Sequence, residues 1–110
     1  MWAGARSVVA TDVNALALSN LQHNIARNLE AAGAINISAA ALDVRDERTW
    51  LPAGSVDVIV AADLVYDRTQ APCFVHAAMA LLGAGGGDIY YVAPVQRQGL
   101  EHLVQVPLCA

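Results

Sequence analysis

Apolar positions along the chain change their period several times, and each change marks an element. Residues 7–11 (SVVAT) form a short valine-rich run with no polar alternation, the pattern of a buried strand, and Asp12 closes it. Residues 14–32 then place Leu18, Leu21, Ile25 and Leu29 at spacings of three and four, the stripe of an amphipathic helix. Asp12 or Asn14 can cap that helix, and Gly33 can end it. Residues 35–42 (INISAAAL) predict a weaker strand, closed by Asp43. A charged loop, 43–55, leads to the clearest strand pattern of the chain, 56–62 (VDVIVAA), which ends at Asp63. A second helix is expected over 70–82, with Pro72 tolerated in its first turn, then a strand over 88–93 and the start of another helix over 97–105. Strands separated by helices predict an α/β protein with a parallel sheet and helices on its faces.

The glycines of GAGGGDIYYVAP, 83–94, test this order. A phosphate-cradling glycine loop leaves a strand and opens a helix, so that the helix N-terminus faces the anion. Here Phe74, Ala77, Ala78, Leu81 and Leu82 run into the glycines, and Ile89–Val92 leave them. Asp88 stands where GxGxxG requires its third glycine. The stretch therefore predicts a helix-to-strand turn, with Gly83 as the C-cap.

Composition narrows the class. The chain has 110 residues, enough for one domain, and is 56% hydrophobic. Its mean hydropathy of +0.42 fits a sheet buried on both faces. A net charge of −4 gives no basic footprint for nucleic acid. All basic residues are arginine; lysine is absent. Asp57 and Asp63 interrupt the longest apolar run, so no membrane span is expected, and the apolar core of the N-terminus is too short for a secretory signal. Cys73 and Cys109 form no ligand motif and, without a signal peptide, read as reduced thiols of a cytoplasmic protein. His23, His76 and His102 show no metal-binding spacing, so no metal is expected; His23 and His76 are expected on helix surfaces.

Three successive strands end in aspartate, at Asp12, Asp43 and Asp63. Ligands of open parallel sheets sit beyond the carboxyl ends of the strands. The plainer alternative is that each aspartate caps the next helix or loop. A carboxylate after one strand can accept hydrogen bonds from ribose hydroxyls, and one after the next can meet an adenine amino group. This chemistry suits NAD and S-adenosylmethionine (SAM) equally.

The residues go further than their spacing. VVATDVN (8–14), Leu21-x-x-Asn24-x-x-x-Asn28, LD at 42–43, VDVIVAADLVYD (56–67) and GGDIYYVAP followed by Arg97 resemble the class I, seven-stranded SAM-dependent methyltransferases. Within these they are similar to the protein lysine methyltransferases that carry a DxxY motif after the fourth strand, here Asp63-Leu64-Val65-Tyr66. The resemblance spans nearly the whole chain. It implies that Asp12 binds the SAM ribose, that Asp43 and the following Val44 lie by the adenine, that Ala62 lines the cofactor, and that Asp63 and Tyr66 are the catalytic pair facing the methyl-accepting group. It also implies a protein substrate presenting lysine; the substrate's identity and the oligomeric state are not legible. Val44 departs from the tryptophan common at that position in this branch, and Trp50 reads as loop packing.

The opening MWAGAR resembles the tail of the helix that follows the glycine-rich cofactor loop in that family. The expected fold is therefore an incomplete Rossmann-like sheet, lacking the first strand and the last two. Strands 7–11 and 56–62 would lose the neighbour between them, and SAM binding by this stretch alone is expected to be weak or nil. Two other readings stay open. One is an inactive methyltransferase remnant serving as a binding module. The other is a short-chain dehydrogenase, whose adenine-side DVxD resembles Asp43-Val44-Arg45-Asp46 but whose YxxxK pair cannot form without lysine.

Overall fold

A computed structural model of the chain describes residues 5–32, 36–62 and 69–93. Two compact units divide it, Met1–Asp43 and Val44–Ala110, and each is described by itself. Strands and helices alternate throughout, with the strands paired in parallel in two small sheets: an incomplete Rossmann-like α/β fold.

The first unit runs β1 (Val8–Asp12), α1 (Ala15–Ala32) and β2 (Ile37–Ala41). The strands pair in parallel from Val8↔Ile37 to Asp12↔Ala41. A parallel pair needs a crossover, and α1 supplies it. Leu18, Leu21 and Ile25 form its half-buried stripe, as the period requires. Asn14, not Asp12, caps the helix: its Oδ1 accepts from Ala17 N–H at 3.0 Å and its carbonyl from Leu18 N–H at 2.9 Å. The expected stop at Gly33 lies outside the described residues.

The second unit runs β3 (Val58–Ala62), α2 (Gln70–Leu82) and β4 (Asp88–Val92), with β3 and β4 parallel and Val58 opposite Asp88. Its core is one face of α2. Ala71, Phe74, Val75 and Ala78 form a buried cluster, and Ile59, Ala61, Ile89 and Tyr91 pack against it from the sheet. Phe74 meets Tyr91 edge-on at 5.4 Å. Strand β3 starts later than the hydropathy pattern predicts. Val56 N–H bonds the Leu81 carbonyl of α2 instead of a strand partner, and the Asp57 carbonyl accepts from Asp88 N–H. The expected helix over 97–105 lies outside the described residues.

Burial corrects the expectation of strands covered on both faces. Along β3 and β4 half-buried and exposed residues alternate; Val60 and Tyr90, opposite each other, are 76% and 59% exposed. Each two-stranded sheet has one helix packed on it, so among the described residues one face of β3–β4 is covered and the other is not. His23 and His76 are exposed on their helices, as expected.

The glycine stretch is a turn. Gly83 ends α2 with φ +73°, its N–H bonding the Met79 carbonyl, and Gly86, also at φ +73°, bonds back to the Gly83 carbonyl. Gly87 is required for another reason. A Cβ there would strike the Asp57 carbonyl oxygen and lie 2.7 Å from Leu82 Cδ2, whereas one at Gly85 would meet nothing within 4 Å. Gly87→Ala should therefore destabilise the protein by about 1–3 kcal/mol, as overpacking does. Gly85→Ala should be neutral or stabilise by up to about 1 kcal/mol. Urea denaturation of the two variants checks this; equal midpoints would refute the packed arrangement at Gly87.

Candidate functional site

The carboxyl end of the β1–β2 pair brings two of the candidate residues together. Asp12 is the last residue of β1 and lies opposite Ala41, so the parallel register places Asp43 just beyond the same end. The Asp12 carbonyl accepts from Leu42 N–H at 3.2 Å, which fixes the approach of the second segment. Asp12 is half-buried, and its Oδ1 accepts from Asn14 N–H at 2.9 Å. This Asx bond turns the chain from strand into helix. The other carboxylate oxygen accepts no hydrogen bond from a described residue. A half-buried carboxylate with an oxygen left over at a strand end suits a ligand hydroxyl pair, since a carboxylate offers about four acceptor sites. These residues thus fit the ribose of a nucleoside cofactor. Asp43 is also half-buried.

The capping alternative holds in part for Asp12, which makes the turn while Asn14 makes the cap. One carboxylate oxygen serves the fold and the other accepts nothing from a described residue, so the two roles are compatible.

The second unit holds Val44 and Ala62. Val44 packs against the α2 cluster. Ala62, the last residue of β3, pairs with Val92 and is exposed, on the strand face shared with Val58 and Val60 and opposite to that of Ile59 and Ala61. Asp63, Tyr66 and Arg97 lie outside the described residues.

Two contacts carried no sequence signal. Arg45 Nη2 donates to Thr69 Oγ1 at 3.2 Å, beside the start of α2. Trp50 meets His76 of α2 edge-on, with ring centroids 5.5 Å apart. Between them, Asp46 opens the 3-10 turn Glu47–Thr49. Its carboxylate takes Arg48 in a two-pronged bond, Nε and Nη2 each at 2.9 Å, which holds the Asp46 carboxyl below its ordinary range. Among the described residues no group of three or more His, Cys, Asp or Glu side chains could hold a metal, and no helix is long and apolar enough to cross a membrane.

A family model described as lysine methyltransferase matches residues 1–103. No curated protein and no solved structure matches the chain.

Proposed function

Because the chain belongs to the lysine methyltransferase family, whose membership implies methyl transfer with SAM as donor, we propose that it acts in the methylation of a protein lysine. The observation that carries this reading furthest is the placement of Asp12 and Asp43 at one end of a parallel β1–β2 pair. When bound, SAM supplies an electrophilic methyl on a sulfonium. In this reading Asp12 accepts the ribose hydroxyls, Asp43 takes the adenine side, and Val44 and Ala62 flank the cofactor. The DxxY sequence, Asp63 to Tyr66, faces the acceptor.

The chemistry limits what the acceptor-side residues can do. A lysine amine must be neutral to attack, and at pH 7 only about one in two thousand is, given a reference pKa of ~10.4. Asp63 favours the charged ammonium, so its role is to attract and orient the substrate rather than to act as base. Tyr66 hydrogen-bonds the amine. Desolvation of the amine, and the positive charge beside it, lower the cost of losing the proton. Most of the rate then comes from holding two reactants in line.

Calorimetry with SAM and transfer of labelled methyl to lysine-bearing proteins test the reading. Asp63→Asn and Tyr66→Phe should each lower transfer by about 10²-fold, the scale of losing one oriented polar contact in an active site, with SAM affinity held within about threefold. Weak binding is expected, so the titration is carried to millimolar SAM; binding with no transfer to any protein would leave a binding module, and no binding at that concentration would remove the proposal.

A further inference from the structure

Residues 44–56 follow Asp43 directly and lead into β3. A connection of this length without a long element of its own is ordinarily among the more mobile parts of a fold. Here it is fastened along the length of α2. Val44 packs on the Ala71–Phe74–Val75–Ala78 cluster, and Arg45 bonds Thr69 just before the helix. Trp50 meets His76 at mid-helix. Gly54 N–H bonds the Ala80 carbonyl at 3.0 Å and Val56 N–H the Leu81 carbonyl at 3.2 Å, two of the carbonyls that a helix end leaves without an intrahelical partner. From Arg45 onward the attachment points follow one another in the same order along loop and helix. The loop is thus a strap laid lengthwise on α2.

We infer that Trp50 is a positioning residue, holding this strap on α2 so that the segment leaving Asp43 and the start of α2 behave as one body. The inference rests on the methyltransferase reading: Asp43 is then the cofactor-side carboxylate, and α2 is the helix that follows the Asp63–Tyr66 motif in sequence. Trp50 suits the task because it brings the largest side-chain surface with only two rotatable bonds to order. It sits midway between the Arg45 and Gly54 attachments. His76 presents its ring from an exposed position on α2. In-line transfer tolerates little misplacement, so a slack strap costs rate without removing any group that touches cofactor or acceptor.

Hydrogen exchange read by mass spectrometry, on the chain with and without SAM, tests this. Without ligand, Trp50→Ala and His76→Ala should each speed exchange of the strap (45–50) and of the first turns of α2 (71–75) together. The expected factor is roughly two- to tenfold, the range a T-shaped aromatic pair is worth. Trp50→Phe should restore most of the protection. SAM should slow exchange in the first turns of α2 in the native chain and not in Trp50→Ala, whose SAM affinity stays within about threefold. His76→Ala, at an exposed position, keeps the test open if Trp50→Ala fails to fold. Loosening of the strap with α2 unchanged would overturn the inference, as would SAM protection of α2 that survives in Trp50→Ala. If strap and helix loosen together but the native chain does not bind SAM, the methyltransferase reading has failed. The strap is then a structural tie with no positioning role.

Discussion

Asp12→Ala should weaken SAM binding by about 10²-fold or more. The proposed ribose contacts are two hydroxyl donors on one carboxylate, and a hydrogen bond to a charged group is worth roughly 1.5–3 kcal/mol. Each 1.4 kcal/mol is a factor of ten in affinity. Alanine also removes the 2.9 Å bond to Asn14 N–H that turns β1 into α1, so a second variant must separate folding from binding. Asp12→Asn does so. Its amide oxygen can keep the Asn14 bond, while the charge and one acceptor are lost; its affinity should fall by roughly tenfold with the melting temperature nearly unchanged. Asn14→Ala is the reverse control. It removes the cap on Ala17 N–H and should destabilise α1 by about 1 kcal/mol with SAM affinity little changed. If Asp12→Asn bound SAM as tightly as the native chain, Asp12 would be a turn residue and nothing more.

The largest effect on stability is expected at Phe74. It is 5% exposed, lies at the centre of the α2 cluster, and contacts Tyr91 from β4. Phe74→Ala should cost about 3–5 kcal/mol, the lost transfer energy plus the cavity left behind. Ala71 and Ala78, its neighbours in the cluster, are too small to fill the space. Whole domains hold together by only about 5–15 kcal/mol, so the change should unfold much of the population at moderate urea. Phe74→Leu, which keeps most of the volume, should cost roughly half as much or less. Urea midpoints for the two variants decide it. A cost below about 1 kcal/mol for Phe74→Ala would mean that the core of this unit is not where α2 meets β3–β4.

Much of the framework was legible because local chemistry determines it. The Leu18–Leu21–Ile25 stripe could only be a helix face, and the run of Ala71, Phe74, Val75, Ala78 and Leu81 shows the same period for α2. The order helix, glycines, strand was enough to make 83–87 a turn, and the left-handed φ of Gly83 and Gly86 is the physical form of that reading. Asp12 and Asp43 could be placed at strand ends from their positions after apolar runs. That they share one end follows once the strands are parallel, since parallel strands put their carboxyl termini side by side.

Other features depended on partners far away in sequence. The choice between Asp12 and Asn14 as cap turned on which oxygen reaches which N–H, a geometry that spacing does not encode. Val56 looked like strand and instead bonds the end of α2, because the Leu81 carbonyl competes for its N–H. The hydropathy of 56–62 predicted two buried faces, yet burial depends on what is packed above, and Val60 remains exposed. The approach of Trp50 to His76 and of Arg45 to Thr69 joins residues 26 and 24 positions apart. By itself, then, the sequence determined the elements, their order and the carboxylates at their ends, since periodicity and turn chemistry act within a few residues. Only the tertiary structure decided which polar groups pair, which sheet face is covered and how the 44–56 strap lies on α2, because those outcomes are contests between groups that the chain brings together only when folded.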